Sequence, residues 1–280
     1  MKQPKGTLTV AGTGILPVGH LTQEASQAIQ IADRVFYAVT NPLMARMILR
    51  LNPGAEDLRP LYGKGKPREK TYAEMVAALL KPVRQGKRVC AAFYGHPGVF
   101  VISGHEAIRQ ARAAGHQAEM LPGISAEDCL FADLNVDPAR DGCATFEATD
   151  LLLSHRTWDA TSALVIWQIS VIGEMAYPTS DGRKNLPVLI ERLREVYPAS
   201  HLVTVYEASS LPGFASSVHR CPLGRLARAP LTHFSTLYVP PLPGRRYDRA
   251  LLQRLGMMPR KKASSSGRIA RSLASTRCLR

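Results

Sequence analysis

Apolar residues along the chain follow two alternating patterns, short continuous runs and a spacing of three to four residues. Strands are predicted at the runs TLTVAG, RVFYAV, RVCAAFYG and HQAEML, and helices at residues 25–32, 43–51 and 108–114. Strands that alternate with helices in this way predict a mainly parallel sheet with helices on its faces.

A second series of the same kind follows Pro122. Helices are predicted from Ser125 and over residues 187–196, and strands at ATFEAT, ALVIWQI, HLVTVYE and HFSTLYVP. We therefore predict a two-lobed α/β fold, with an N-terminal lobe over residues 1–121, a C-terminal lobe over residues 122–244 and a mainly parallel sheet in each.

Two predicted helices carry a recognisable start signal. Thr71 with Glu74, and Ser103 with Glu106, match the capping box, in which a hydroxyl and a carboxylate satisfy the first amide groups of a helix. The polar segment 52–70, rich in Gly, Pro and Lys, is predicted to be a long loop. Loops of that length inside a compact domain are usually functional.

The net charge of +14 is concentrated at the C-terminal end of the chain. Eleven of the 36 Lys and Arg residues lie in residues 245–280, against one acid, Asp248. This segment has few large apolar residues and is predicted to be a largely disordered basic tail. A solvated tail is the simpler interpretation, and binding of RNA or of an acidic partner is the alternative, with nucleic acid the less favoured.

Cysteine spacing and hydropathy exclude several classes of protein. The five cysteines include no Cys-x-x-Cys pair, which argues against a disulfide framework and against a metal site. No apolar run is long enough to span a membrane, and the N-terminus leads directly into a strand-like run. A cytoplasmic protein is the expectation.

Glycines after the first predicted strand suggest a dinucleotide site, but their spacing fits poorly. Gly12, Gly14 and Gly19 follow the strand, yet Pro17 stands where the third glycine of the usual motif would fall. A tight structural turn is the alternative interpretation.

Two more glycine loops follow predicted strands, where open α/β sheets bind their ligands. They are YGHPGVF, residues 94–100, and PGISA, residues 122–126. His96 is a hydrogen-bonding group, an acid or base, or an ordinary loop histidine, and Ser125 suits the cap of a helix that faces the ligand.

Taken together, these three loops resemble the tetrapyrrole methylase superfamily over residues 7–244. The resemblance implies that S-adenosylmethionine binds in a cleft between two α/β lobes. Members that act on porphyrin or corrin rings usually have Gly-Asp-Pro where this chain has His96 between Gly95 and Pro97. A tetrapyrrole substrate is therefore in doubt.

Four segments, LYGKGKPREKTYAEM, FYGHPGVF, LPGISAEDCLFADL and FEATDLLL, narrow the resemblance. They resemble the borosin peptide backbone N-methyltransferases, the group related to the omphalotin methyltransferase. This resemblance implies α-N-methylation of backbone amides in a ribosomally made precursor peptide, by a homodimer or a heteromeric complex with the precursor. No apolar core peptide follows Pro243, so a precursor supplied in trans, as in a split borosin system, is expected.

The resemblance also implies which residues form the site. It places the catalytic functions on Arg68, Tyr72 and Tyr62. Residues of several loops are implied to bind the cofactor, namely Tyr94, His96, Val99, Phe100, Ser125, Ala126, Gln168, Ala208, Ser235 and Thr236.

The chemistry of an amide explains why an arginine and tyrosines suit this reaction. An amide nitrogen is a poor nucleophile, so methyl transfer needs the imidate form. A tyrosine can accept the amide proton if a nearby cation lowers its pKa. We predict Tyr72 as the base, at the first position of a helix, Arg68 as the group that stabilises the imidate oxygen, and Tyr62 as an assistant.

Three other interpretations stay open from the sequence. Tyr72 could pack beneath its helix while Arg68 is a solvated loop charge. The same fold could methylate a tetrapyrrole ring or RNA, although such enzymes have no reason to keep Tyr62, Arg68 and Tyr72 at this spacing. A catalytically silent scaffold that only binds a peptide is the third.

Overall fold

The computed structural model describes residues 5–174, 182–245 and 247–257. The chain divides into two compact units, Met1–Leu242 and Pro243–Arg280. Both sheets belong to the first unit.

The first sheet contains five strands, all parallel, in the order β3-β2-β4-β1-β5. They are β1 (Thr7–Gly12), β2 (Arg34–Ala38), β3 (Glu56–Asp57), β4 (Arg88–Phe93) and β5 (Gln117–Leu121). The connections carry helices α1 (Gln23–Ile31), α2 (Pro42–Leu51), α3 (Arg68–Arg84) and α4 (Ile102–Ala113). Helices cover both faces, and β4 is accordingly an almost continuous run of buried apolar residues.

The second sheet also has five strands, in the order β6-β7-β10-β8-β9. They are β6 (Cys143–Glu147), β7 (Ala163–Trp167), β8 (Leu202–Glu207), β9 (Ser217–Pro222) and β10 (Thr236–Val239). Helices α5 (Ala126–Leu134), α6 (Pro138–Asp141), α7 (Ala148–Leu153) and α8 (Leu186–Arg194) belong to this half of the chain. Short 3-10 helices span Arg59–Leu61, Gly182–Asn185 and Leu223–Arg228.

The α/β fold class predicted from the sequence is confirmed, but the second sheet is mixed where a mainly parallel one was expected. Only β6 and β7 pair in parallel, and the three other pairs are antiparallel. The loop from β8 to β9 spans only residues 208–216. A parallel connection needs a dozen or more residues, so this loop favours an antiparallel pair.

Both predicted capping boxes at Thr71 and Ser103 are wrong, because each helix begins before the expected cap. Helix α3 begins at Arg68, with Pro67 as its N-cap, and Thr71 lies inside the first turn, where its hydroxyl donates to the Leu61 carbonyl at 3.4 Å. Helix α4 begins at Ile102. The predicted loop 52–70 accordingly ends at Pro67 and contains β3 and the first 3-10 helix.

The cap at Ser125 is confirmed. Its hydroxyl accepts hydrogen bonds from the amides of Glu127 and Asp128, both at 3.2 Å, and the Asp128 carboxylate accepts from the Ser125 amide at 2.7 Å. This reciprocal pair fixes the start of α5 directly after the loop that follows β5.

An apolar cluster holds the two sheets together near the ends of β1 and β7. Ile15, from the loop after β1, is 1% exposed and packs in one cluster with Val165, Trp167 and Tyr206 of the second sheet. Close packing of this kind excludes water and holds the two sheets in a fixed position relative to each other.

The second unit contains one described helix, α9 (Arg249–Arg254), with no buried residue. This short helix lies in the segment 245–280 that was predicted to be largely disordered. Residues 258–280 of that segment lie outside the described residues.

Within the described ranges, no helix has the length and apolar character needed to cross a membrane. Four cysteines, at positions 90, 129, 143 and 221, are free thiols, and Cys278 lies outside the described residues.

Candidate active site

Four glycines, in three loops, bring the ends of β1, β4 and β5 into backbone contact. The amides of Gly14 and Gly95 each donate to the other's carbonyl, at 3.2 and 3.0 Å. A β-carbon added at Gly12 would lie 2.6 Å from the Gly95 oxygen and 2.8 Å from the Gly123 α-carbon. Only glycine permits this approach, so the three loops predicted to bind a ligand form one surface at the carboxyl edge of the sheet.

A cavity of about 340 Å³ opens beside this surface. Both halves of the chain line it, with Tyr94 and Phe100 on one side and Trp167 and Phe234 on the other. A concave, mainly apolar site of this size is typical of small-molecule and cofactor sites.

Nine of the ten residues predicted to contact the cofactor line this cavity. They are Tyr94, His96, Val99, Phe100, Ser125, Ala126, Gln168, Ala208 and Thr236. Ser235 does not line the cavity. It is 2% exposed, and its hydroxyl accepts a hydrogen bond from the Thr232 amide at 2.8 Å.

Two cavity residues other than glycine have left-handed backbone conformations. The φ angles are 57° at Phe100 and 58° at Gln168. The Phe100 ring meets Trp167 edge to face, with 5.9 Å between centroids. Left-handed backbone is costly for these residue types, and it is typically found where a binding site fixes a side chain.

His96 organises the turn after β4. Its Nδ1 accepts a hydrogen bond from the Gly98 amide at 3.0 Å, and the Val99 amide donates to the His96 carbonyl at 3.0 Å. The ring is therefore held in the turn as an acceptor at Nδ1, and His96 lines the cavity.

Tyr94 presents a neutral phenol to the same wall. Burial raises the pKa of its hydroxyl to about 12, with smaller contributions from Cys129 and Glu207. Its ring lies 6.4 Å from that of Phe234. At neutral pH, Tyr94 is a hydrogen-bonding group and an apolar surface.

The structure brings the Tyr62 and Tyr72 rings together, and Arg68 lies on the same helix as Tyr72. The tyrosine rings meet edge to face at 6.5 Å and both line the cavity. Arg68 lies one helical turn before Tyr72 and lines an adjoining cavity of about 820 Å³, whose walls also include Tyr72 and Ile102.

The expected position of Tyr72 at the start of a helix is wrong. Tyr72 is the fifth residue of α3, because the helix begins at Arg68. The helix dipole acts mainly within the first turn, so the dipole effect expected at Tyr72 from the sequence is weakened.

Lys66 fixes the segment between Tyr62 and α3, a role that the sequence analysis missed. Its ammonium donates to the Leu61 carbonyl at 2.6 Å and forms an ion pair with Glu74 at 2.5 Å. The contact between Lys66 and Glu74 could not be predicted from helical spacing, because it joins a loop residue to a helix residue eight positions later.

Further cavity residues were also missed, namely Thr40, Met75, Ile102, Trp167, Glu207, His233 and Phe234. Trp167, Glu207 and Phe234 each lie in or beside a predicted strand next to a residue that was named. Their position at strand ends was the available signal.

His20 supports the loop that carries Ile15 into the cavity. Its Nδ1 accepts hydrogen bonds from the amides of Ile15 at 3.3 Å and Leu16 at 3.1 Å. Burial lowers the pKa of His20, and the carboxylates of Asp128 and Asp133 on α5 oppose this shift. The neutral imidazole is thus the form that fits the fold.

We expect the free energy of unfolding to fall as the pH drops below 6.5, the ordinary pKa of histidine. The unfolded chain takes up a proton at His20 there, whereas the folded chain resists it, so stability is complete above that pH and is lost below it. Denaturant unfolding at pH 7.5 and pH 5 measures the change. His20→Asn, which keeps an acceptor but does not titrate, should reduce the difference, and an equal difference in both proteins would contradict this role.

Sequence comparison identifies relatives of known class. The family model described as Tetrapyrrole (Corrin/Porphyrin) Methylases matches residues 7–227. The chain is 38% identical over 259 residues to the methyltransferase and cyclic peptide omphalotin A precursor of Omphalotus olearius, covering 91% of this chain and 62% of that protein. It is 42% identical over 242 residues to a methyltransferase and type III borosin cyclic peptide precursor of Anomoporia bombycina, covering 84% of this chain and 28% of that protein.

Structural comparison finds the same fold. Uroporphyrin-III-C-methyltransferase from Thermus thermophilus superimposes with a TM-score of 0.59 at 22% identity, covering 92% of this chain and 99% of that one. The chain spans less than two thirds of the length of the two fungal relatives, at 62% and 28%.

Proposed function

This chain belongs to the tetrapyrrole (corrin/porphyrin) methylase family and is homologous to borosin methyltransferases, and we propose that it transfers methyl groups from S-adenosylmethionine to backbone amide nitrogens of a ribosomally made precursor peptide. The observation that carries the proposal is the placement of Tyr62 and Tyr72 on the cavity wall, with Arg68 one helical turn away. A family member that acts on a ring has no need of this set.

The residues of the 340 Å³ cavity fit the proposed cofactor. Aromatic rings of Tyr94, Phe100, Trp167 and Phe234 offer flat apolar surfaces for a purine and faces that attract a sulfonium cation. The close packing of Gly12 and Gly95 lets backbone atoms approach a ligand without an intervening side chain.

The bound cofactor supplies an electrophilic methyl group on a sulfonium. Tyr72 accepts the amide proton from the substrate nitrogen. Arg68, permanently charged and planar, stabilises the phenolate and the imidate oxygen that forms as the proton leaves. Tyr62 holds the Tyr72 ring by edge-to-face contact, and Lys66 keeps the intervening segment on α3.

A precursor peptide is the proposed partner. Its supply as a separate chain, the homodimer or heteromeric complex and the cytoplasmic location stay predictions of the sequence.

The test combines binding and product analysis. Calorimetry with S-adenosylmethionine should show one site for each chain, and incubation with a peptide rich in small apolar residues should add ~14 Da increments, one CH2 for each transfer, which fragmentation places on backbone nitrogens. Increments on side chains, or methylation of RNA or a tetrapyrrole in place of the peptide, would contradict the proposal. Cofactor binding without any transfer would indicate the silent scaffold.

A further inference from the structure

One carboxylate lies on the wall of the 340 Å³ cavity. Among the described residues that line it, Glu207 is the only acid, and no lysine or arginine accompanies it. The other titratable side chains there are two histidines and three tyrosines, at positions 96, 233, 62, 72 and 94. The formal charge of this wall is therefore carried by Glu207.

The surrounding chain holds this carboxylate in place. Glu207 is the last residue of β8, and its Oε2 accepts a hydrogen bond from the Thr232 hydroxyl. The same hydroxyl accepts from the Phe234 amide at 3.1 Å. Glu207 is thus tied to the turn that carries Phe234 and Thr236 into the cavity.

Glu207 is half-buried beside apolar neighbours. Ala208 is 9% exposed, and the rings of Tyr94 and Phe234 pack against each other on the same wall, with Phe234 itself 52% exposed. A half-buried charge beside apolar side chains is screened less than a fully exposed one, so it acts more strongly on a bound ion than it would in bulk water.

Methyl transfer changes the charge of the cofactor by one unit. The donor carries a sulfonium cation, and the sulfur keeps the electron pair of the broken S–C bond, so the product is a neutral thioether. The ammonium and carboxylate groups of the amino acid portion carry the same charges in the donor and in the product. A fixed negative charge therefore attracts the donor more strongly than the product, because only the donor carries the sulfonium cation.

We propose that Glu207 determines ligand specificity in this cavity, because its negative charge favours the sulfonium methyl donor over the neutral thioether product. This inference rests on the proposed function, because it concerns the same cofactor. By weakening product retention relative to donor binding, Glu207 promotes exchange of the cofactor after each methyl transfer.

The decisive variant is Glu207→Gln. Glutamine keeps a side-chain oxygen that can accept from Thr232, so the turn is preserved while the charge is removed. We expect the ratio of dissociation constants, S-adenosylmethionine over S-adenosylhomocysteine, to rise about ten-fold, which corresponds to about 1.4 kcal/mol. Calorimetry on the full chain, at one fixed salt concentration, measures both constants directly.

Glu127→Gln is the matched control. Glu127 also accepts a hydrogen bond from a threonine hydroxyl, that of Thr145 at 2.5 Å, but it does not line the cavity. This variant should leave the ratio within two-fold of wild type. A ratio that rises equally in both variants would overturn the proposal, because the effect would then follow from overall charge.

Two further outcomes separate charge from structure. If Glu207→Gln weakens both ligands equally, or leaves the ratio unchanged, Glu207 has a structural role and the proposal fails. If that variant does not fold, the salt dependence of the ratio in the wild-type protein tests the charge. A ratio that rises as salt screens Glu207 supports the charge effect, and a ratio independent of salt contradicts it.

These results are distinguishable from failure of the proposed function. If the proposed cofactor is wrong, the wild-type protein binds neither S-adenosylmethionine nor S-adenosylhomocysteine, and if only the proposed substrate is wrong, both ligands bind but no backbone methylation of the peptide follows. If both ligands bind and only the ratio is insensitive to Glu207, the inference about Glu207 alone is wrong.

Discussion

Arg68→Ala is expected to reduce methyl transfer by roughly 100-fold to 1,000-fold, the usual cost of removing one group that stabilises an oxyanion. Its affinity for S-adenosylmethionine should stay near that of wild type, because Arg68 lines the 820 Å³ cavity and does not line the 340 Å³ cavity. Single-turnover rates with a substrate peptide, beside calorimetry of cofactor binding, measure the two effects separately.

Tyr72→Phe tests the proton acceptor in the same assay. Loss of a general base typically lowers the rate by about 100-fold to 10,000-fold. The ring still packs against Tyr62, so the fold should be preserved. The double variant should be scarcely slower than the worse single variant, since a base and the cation that stabilises it act as one unit.

Lys70→Ala is the control for charge. Lys70 is an exposed cation on α3, two residues after Arg68, and lines neither cavity. It should keep the wild-type rate. If Lys70→Ala is as slow as Arg68→Ala, the effect comes from the general charge of the helix, and Arg68 has no specific role in the reaction.

Among features that depend only on neighbouring residues, the cap of α5 was predictable from the sequence, and the start of α3 was not. Ser125 caps α5 because its hydroxyl reaches amides two and three residues ahead, a geometry that any such sequence can form locally. The start of α3 was missed, because Pro67 tolerates the N-cap position and the following Arg-Glu-Lys residues already favour helix.

Features that depend on distant contacts were not predictable. The position of β10 between β7 and β8 follows from packing across the whole second half of the chain. Likewise, no local pattern brings Thr232 to Glu207, 25 residues earlier. The cavity residues near the strand ends could be predicted in part, since the ends of strands mark one edge of each sheet.

Gly12→Ala is expected to destabilise the fold where the three strand ends meet. Its β-carbon would lie 2.6 Å from the Gly95 oxygen, 2.7 Å from the Pro97 δ-carbon and 2.8 Å from the Gly123 α-carbon. Two of these are backbone atoms of different loops, so no side-chain rotation relieves the clash. We expect the free energy of unfolding to fall by about 1–3 kcal/mol, the usual range for overpacking, or more.

The same change should also weaken cofactor binding, because the loops that must separate are those that carry His96 and Ser125 to the cavity. Calorimetry at a temperature well below the unfolding midpoint distinguishes weaker binding by folded protein from a loss of folded protein. Affinity equal to wild type in the folded variant would show that the loops adjust without disturbing the cavity.

Gly19→Ala is the matched control, since Gly19 lies in the connection that follows Gly12, between β1 and α1. A β-carbon there has no neighbouring heavy atom within 4 Å. Its unfolding free energy should stay within about 0.5 kcal/mol of wild type, as for most surface substitutions, because alanine also restricts the unfolded chain. Equal destabilisation by the two substitutions would mean that lost glycine flexibility is responsible. If only Gly12→Ala lowers the unfolding free energy, the cause is the close contact of the three strand ends, on which the geometry of the cavity depends.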